Sequence, residues 1–180
     1  MTVEIREVAF ALELRDEGDG RTLVGPLLPY NTEARIGPYV TEVFGRGAFT
    51  GTEPGMVPLT ATHPRDGGTL PIGVTTELED RADALWGAWH VSDTALGNEV
   101  LALARDKVPL GLSVGFEPMA GGSQWNATHT RVVRTRARMD HVAIVRAPAY
   151  AGARVQAVRG ALEPAAPTPL LDLARRLRWR

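Results

Sequence analysis

Leu110-Gly111-Leu112-Ser113-Val114-Gly115-Phe116 reads as a short strand with two unlike faces. Strand side chains alternate, so Leu110, Leu112, Val114 and Phe116 point one way and Gly111, Ser113 and Gly115 the other. The apolar face anchors the segment in a core. The opposite face carries no bulk around one of the chain's three serines, so another backbone can approach that hydroxyl closely. This suits a serine nucleophile acting on a peptide. A G-x-S-x-G pattern by itself is more often a tight packing point, and its meaning depends on a base elsewhere. The α/β-hydrolase elbow is excluded by context. That elbow needs strand, turn and helix in order, with an acid and then a histidine downstream; here a helical pattern precedes the serine and the strand runs through it.

The rest of the chain narrows the field. Its 180 residues suit one domain with a sizeable core and a tail. With 44% apolar residues and a formal charge of −1, the composition is globular rather than disordered or nucleic-acid-coating. No apolar run is long enough to cross a bilayer, and Met1-Thr2-Val3-Glu4 opens without the basic and apolar regions of a signal peptide. The absence of cysteine excludes disulfides, thiolate metal sites and a cysteine nucleophile, and fits a reducing cytoplasm. No cofactor is expected.

Residues 3–14 alternate as one strand, Asp16 to Gly20 supply a turn, and residues 22–30 return as the second arm of a hairpin. Residues 57–62 form a short apolar strand ending at His63-Pro64, and residues 72–78 and 84–91 predict two more. A helix follows, capped by Asp93 or Thr94. It carries an apolar stripe of Leu96, Val100, Leu101, Leu103 and Ala104, has Lys107 in its last turn and is stopped by Pro109. Residues 131–137 and 139–145 complete the strands. From Gly160 the chain turns to Ala and Pro and ends in a basic amphipathic stretch, residues 170–177. The expectation is an α+β, mostly-β domain over residues 1–158, a partly closed antiparallel β-barrel flanked by a few helices, followed by a linker and tail over 159–180.

An activated serine needs a base, and the base needs an orienting partner. Of the four histidines, His63 ends a strand, where it can project into a cleft, and His141 lies in the otherwise apolar last strand. His90 sits mid-strand beside Trp86 and Trp89, where packing is the simpler role, and His129 lies in a polar loop. Asp140 and His141 are adjacent and so point to opposite faces of a regular strand. Two rival readings have less behind them. Arg131, Arg134, Arg136 and Arg138 form a basic cluster, the last three on one strand face, but the overall charge disfavours phosphate-backbone binding and a solvated face explains them better. His63, Asp66 and His141 could together meet a metal, yet no close ligand spacing is present.

Several segments in order resemble the prohead maturation proteases of tailed bacteriophages, distant fold relatives of the herpesvirus assemblin proteases. Glu42-Val43-Phe44-Gly45-Arg46-Gly47-Ala48-Phe49 is similar to that family's E-x-x-x-x-G-A-F segment. The strand ending at His63, Pro71-Ile72-Gly73, the helix over 95–107 and the Ser113 strand follow. His141-Val142-Ala143-Ile144-Val145-Arg146-Ala147-Pro148-Ala149 is similar to E-V-S-L-V-T-x-P-A. The resemblance implies an assemblin-like fold, with Ser113 as nucleophile and His63 as general base. The third member departs from the phage pattern, since many members carry glutamate where this chain has His141. A histidine there resembles the Ser-His-His arrangement of the herpesvirus enzymes, with Asp140 the competing candidate. The amides of Ser113 and Val114 would be the oxyanion donors and Arg146 an assistant. The resemblance further implies cleavage of scaffold or major capsid protein, and of the chain itself, inside the immature capsid in the host cytoplasm. It implies a homodimer by analogy with the herpesvirus enzymes, and no nucleic-acid or membrane partner. The alternative is a silent assembly protein that keeps the fold, against which the presence of both His63 and Ser113 argues.

Overall fold

In the computed structural model, which describes residues 4–8, 13–15, 19–63 and 70–145, the chain folds onto two sheets. Asp66, Arg146, the end of the domain and the tail over 159–180 lie outside the described residues. The elements run β1 (Glu4–Val8), β2 (Glu13–Arg15), β3 (Thr22–Pro29), β4 (Ala34–Arg35), β5 (Thr41–Phe44), a single 3-10 turn (Pro54–Met56), β6 (Pro58–Thr60), β7 (Gly73–Asp80) and β8 (Ala84–Val91). Then come α1 (Ala95–Arg105), β9 (Gly111–Pro118), β10 (Ser123–Trp125), β11 (Arg131–Arg134) and β12 (Ala137–Val145). The larger sheet has eight strands in the order β1-β9-β12-β6-β7-β8-β3-β2, and the smaller has four, β10-β11-β5-β4.

The fold is mostly β, with one α-helix among the described residues rather than the few expected. The large sheet curls into part of a barrel without closing, since β1 and β2 remain its two edges. Both sheets are mixed rather than antiparallel: in the larger, β12 runs parallel to β6, and in the smaller, β11 runs parallel to β5. Two further expectations change. The opening alternation is two strands, with β1 pairing β9 and β2 forming the foreseen hairpin with β3, so the first residues serve opposite edges of one sheet. Residues 131–137 likewise divide, Arg134 closing one strand and Ala137 opening the next.

The serine strand behaves as its pattern dictates. Leu112, Val114 and Phe116 are fully buried in the core, with Val142 and Ile144 opposite on β12. The helix packs Val100, Leu101 and Ala104 into the same core. Thr94 is its N-cap, its hydroxyl accepting from the Gly97 N–H at 3.1 Å.

The helix C-terminus differs from expectation. Arg105 closes it, and Lys107 lies beyond, in the left-handed region at φ 58°. The Lys107 N–H donates to the Ala104 carbonyl at 3.1 Å and the Val108 N–H to the Leu103 carbonyl at 3.0 Å, a Schellman closure usually built on glycine. A side chain pays a steric penalty in that conformation, so Lys107→Gly is expected to stabilise the fold by about 1 kcal/mol. Urea unfolding would show it as a higher midpoint at unchanged slope, and a lower midpoint would contradict it.

Candidate active site

β9 is flanked on both sides, Ser113 standing opposite Glu7 on β1 and Ala143 on β12. β12 in turn sets Ala143 beside Thr60 of β6. Ser113, Ala143 and Thr60 thus lie in one row across three strands. Ser113 shares its face with Gly115 two residues on, and His141 stands directly opposite Gly115.

The glycine is what admits the imidazole. A Cβ built on Gly115 would overlap the His141 ring, lying only 2.8 Å from its Nε2. The unencumbered face of the serine strand therefore receives a side chain at this position, where the sequence suggested an approaching backbone. Gly115→Ala is expected to displace His141 and slow any chemistry that depends on it by about 10–100-fold, the usual cost of losing an outer orienting group. Far-UV circular dichroism should stay unchanged; full activity with an undisturbed ring would contradict the prediction.

His63 follows Thr60 by a short bend, which brings it onto the same face. Its Nδ1 is 2.9 Å from His141 Nε2, with the rings edge to face at 5.2 Å and 74°. Both histidines are buried, 4% and 2% exposed. Nδ1 of His63 is thus engaged by His141, and Nε2 is the other nitrogen of the ring. Ser113 itself is fully buried, and among the described residues its Oγ has no hydrogen-bond partner. Burying a lone hydroxyl costs about 1–3 kcal/mol, so such a group calls for a functional explanation.

Asp140 does not occupy the opposite face. Met139 stands opposite Phe116 and His141 opposite Gly115, so Asp140 is the extra residue of a β-bulge and escapes strict alternation. Its carboxylate lies 2.8 Å from His141 Nδ1. It therefore stands behind His141 rather than in its place.

The same strand order counts against Ser113 and Val114 as oxyanion donors. In a strand with neighbours on both sides, backbone N–H groups point within the sheet rather than off its face.

Two residues important to the site's support were not foreseen. Glu42 is fully buried, its Oε1 2.6 Å from Arg134 Nε, and Arg134 Nη1 also donates to Ser123 Oγ at 2.6 Å. The guanidinium lies 5.8 Å from the centre of the Phe116 ring, which packs edge-on against Phe44 and Phe49. The Glu42–Phe49 segment thus supports the far end of the serine strand. The signal was present in Thr41-Glu42-Val43-Phe44: a period of two puts Glu42 on the face of buried Phe44, where an acid needs a cation. This also revises the arginine cluster. Arg134 is buried, only Arg136 and Arg138 are exposed, and Arg131 and Arg138 meet Glu33 and Glu117.

The remaining histidines lie elsewhere. His90 is partly exposed near Asp19 rather than packed in the core, and the ring of exposed His129 lies tilted against Trp125. Among the described residues no three His, Asp or Glu side chains converge as they would on a metal ion.

The sequence model of the caudovirus prohead serine proteases matches residues 10–167. The chain belongs to that family. The match extends past residue 158 into the stretch read as a linker. Among solved structures, the bacteriophage T4 capsid assembly protease is similar, with a TM-score of 0.55 at 7% identity, covering 79% of this chain and 96% of that one. At that identity the likeness is one of fold. No curated protein sequence matches. Among the described residues no helix is long and apolar enough to cross a membrane.

Proposed function

We propose that this member of the prohead protease family is an active serine endopeptidase, with Ser113 as nucleophile, His63 as general base and His141 as the third member. The observation that carries the proposal is the buried, unpartnered Ser113 hydroxyl on the sheet face that also bears the hydrogen-bonded His63–His141 pair.

The chemistry is acyl transfer. The Ser113 Oγ–carbonyl carbon bond forms as the Oγ proton passes to His63 Nε2. The carbon–nitrogen bond then breaks as His63 returns that proton to the leaving amine. Water, deprotonated by the same nitrogen, hydrolyses the acyl-enzyme and restores the serine. His141 accepts from His63 Nδ1–H and so keeps the lone pair of His63 on Nε2, the nitrogen that takes the proton in this mechanism.

The substrates in this reading are major capsid and scaffold proteins, and the chain itself, cleaved inside the immature capsid in the host cytoplasm. The T4 neighbour, a capsid assembly protease, supports that class of substrate. The protease unit spans residues 1–158, with 159–180 as a tail that is cut or docks on capsid protein, and a homodimer is its working state.

Co-expression with the neighbouring capsid proteins, read by intact mass, tests the proposal. Fragments present with wild type and absent with Ser113→Ala are the expected result. Fragments that survive the substitution would remove this serine from the mechanism, and no fragments in either case would favour a silent assembly protein.

A further inference from the structure

We infer that Asp140 is a positioning residue that fixes the protonation pattern of the whole histidine pair through His141. The inference rests on the roles proposed above for Ser113 and His63, and it concerns what sets those roles. Its basis is a continuous chain of short contacts: Asp140 Oδ2 to His141 Nδ1 at 2.8 Å, then His141 Nε2 to His63 Nδ1 at 2.9 Å.

The hydrogen positions in that chain follow from its outer end. An ionised carboxylate only accepts, so His141 Nδ1 must donate to it. A neutral imidazole carries one N–H, so His141 Nε2 is an acceptor. His63 Nδ1 must then be the donor, and the lone pair of His63 falls on Nε2. A single carboxylate thereby determines two tautomers in series. Without it, the His141 proton can sit on Nε2, which forces His63 Nδ1 to accept and puts the proton of His63 on Nε2, where it cannot receive another.

This arrangement also answers the weakness of a histidine as third member. A neutral imidazole stabilises an imidazolium less than a carboxylate does. A carboxylate beside buried His63 would have to be desolvated. Asp140 is 37% exposed while the His141 side chain is 3% exposed, so the charge stays in contact with water and only neutral rings lie inside. The bulge makes this reach available, because a regular β12 would turn Asp140 to the other face.

The charged neighbours leave Asp140 to this task. Arg138, two residues earlier on β12 and close enough for Asp140 to favour its charged form, is bonded to Glu117 of β9 at 2.5 Å. From β6, the residues paired with β12 are Leu59 and Thr60, neither of them charged.

The test uses the full chain with ring-15N-labelled histidine, as wild type, Asp140→Asn and Asp140→Glu. Long-range 1H–15N correlation reads the tautomers of His141 and His63, and intact mass reads the rate at which a fluorophosphonate probe labels Ser113. The expected wild-type pattern is Nδ1–H on both rings. Asp140→Asn should move both rings toward Nε2–H and slow labelling about 10–100-fold, with Asp140→Glu regaining most of the rate. Unchanged tautomers in a folded Asp140→Asn protein would overturn the inference, as would slow labelling with no tautomer change. If wild type is not labelled, the nucleophile proposal fails instead, and the ring nitrogens alone still decide the role of Asp140.

Discussion

Ser113→Ala is expected to abolish cleavage and at the same time make the protein more stable. The loss follows from the proposed mechanism, because alanine has no oxygen with which to form the acyl-enzyme. Without a triad member, only the residual catalysis of binding and oxyanion contacts persists, so the rate falls by a factor of at least about 1,000. The stability gain follows from burial. The Ser113 hydroxyl is fully buried and, among the described residues, has no hydrogen-bond partner, so the folded state bears a desolvation cost that alanine does not. Removing it should stabilise by about 1 kcal/mol and raise Tm by about 2–4 °C for a chain of this size. Calorimetry of the two proteins, run beside the cleavage assay, checks both. A variant that is inert and less stable than wild type would mean that the hydroxyl is satisfied in solution and that its burial is no functional sign.

The second large effect lies away from the chemistry. Glu42→Ala is expected to destabilise the fold by about 3–5 kcal/mol, because it leaves the Arg134 guanidinium buried without its carboxylate. The side chains of Arg134 and Glu42 are 5% and 0% exposed, so water cannot take the place of the lost partner. Removing both charges is a different matter. A Glu42→Leu, Arg134→Met pair replaces the ions with apolar side chains and is expected to recover most of the loss, since such pairs often break even against hydrophobic substitutes. Urea unfolding of the two single variants and the double gives the coupling directly. A single-variant cost below about 1 kcal/mol would show the pair to be screened like a surface contact.

The local pattern foretold the elements that local chemistry builds. The serine strand and its core face follow from alternation in Leu110–Phe116, and the helix from its Thr94 cap and apolar stripe. Strand position made His63 and His141 candidates, the resemblance to the prohead proteases made them a pair, and they lie 2.9 Å apart. What escaped depends on partners far along the chain. No period shows that residues 4–8 and 13–15 pair with different strands, since that is decided by β9 and β3. The bulge at Asp140 exists only relative to β9, so counting along one strand put Asp140 on the wrong face. Arg134 looked like solvated charge because its carboxylate lies 92 positions earlier.

The place of β12 has a consequence for how the protein is made. It is the last described strand in the chain, yet it lies in the sheet between β9, which bears Ser113, and β6, which leads to His63. A ribosome delivers the serine and the first histidine well before the strand that joins them. Their common neighbour and the second ring arrive together, and the link spans 78 positions from His63 to His141, a long loop to close late in folding. Under the proposed mechanism a chain stalled before β12 lacks its third member and is harmless to the proteins around it. The topology thus sets an order of assembly, in which the two histidines can meet only after β12 has been made.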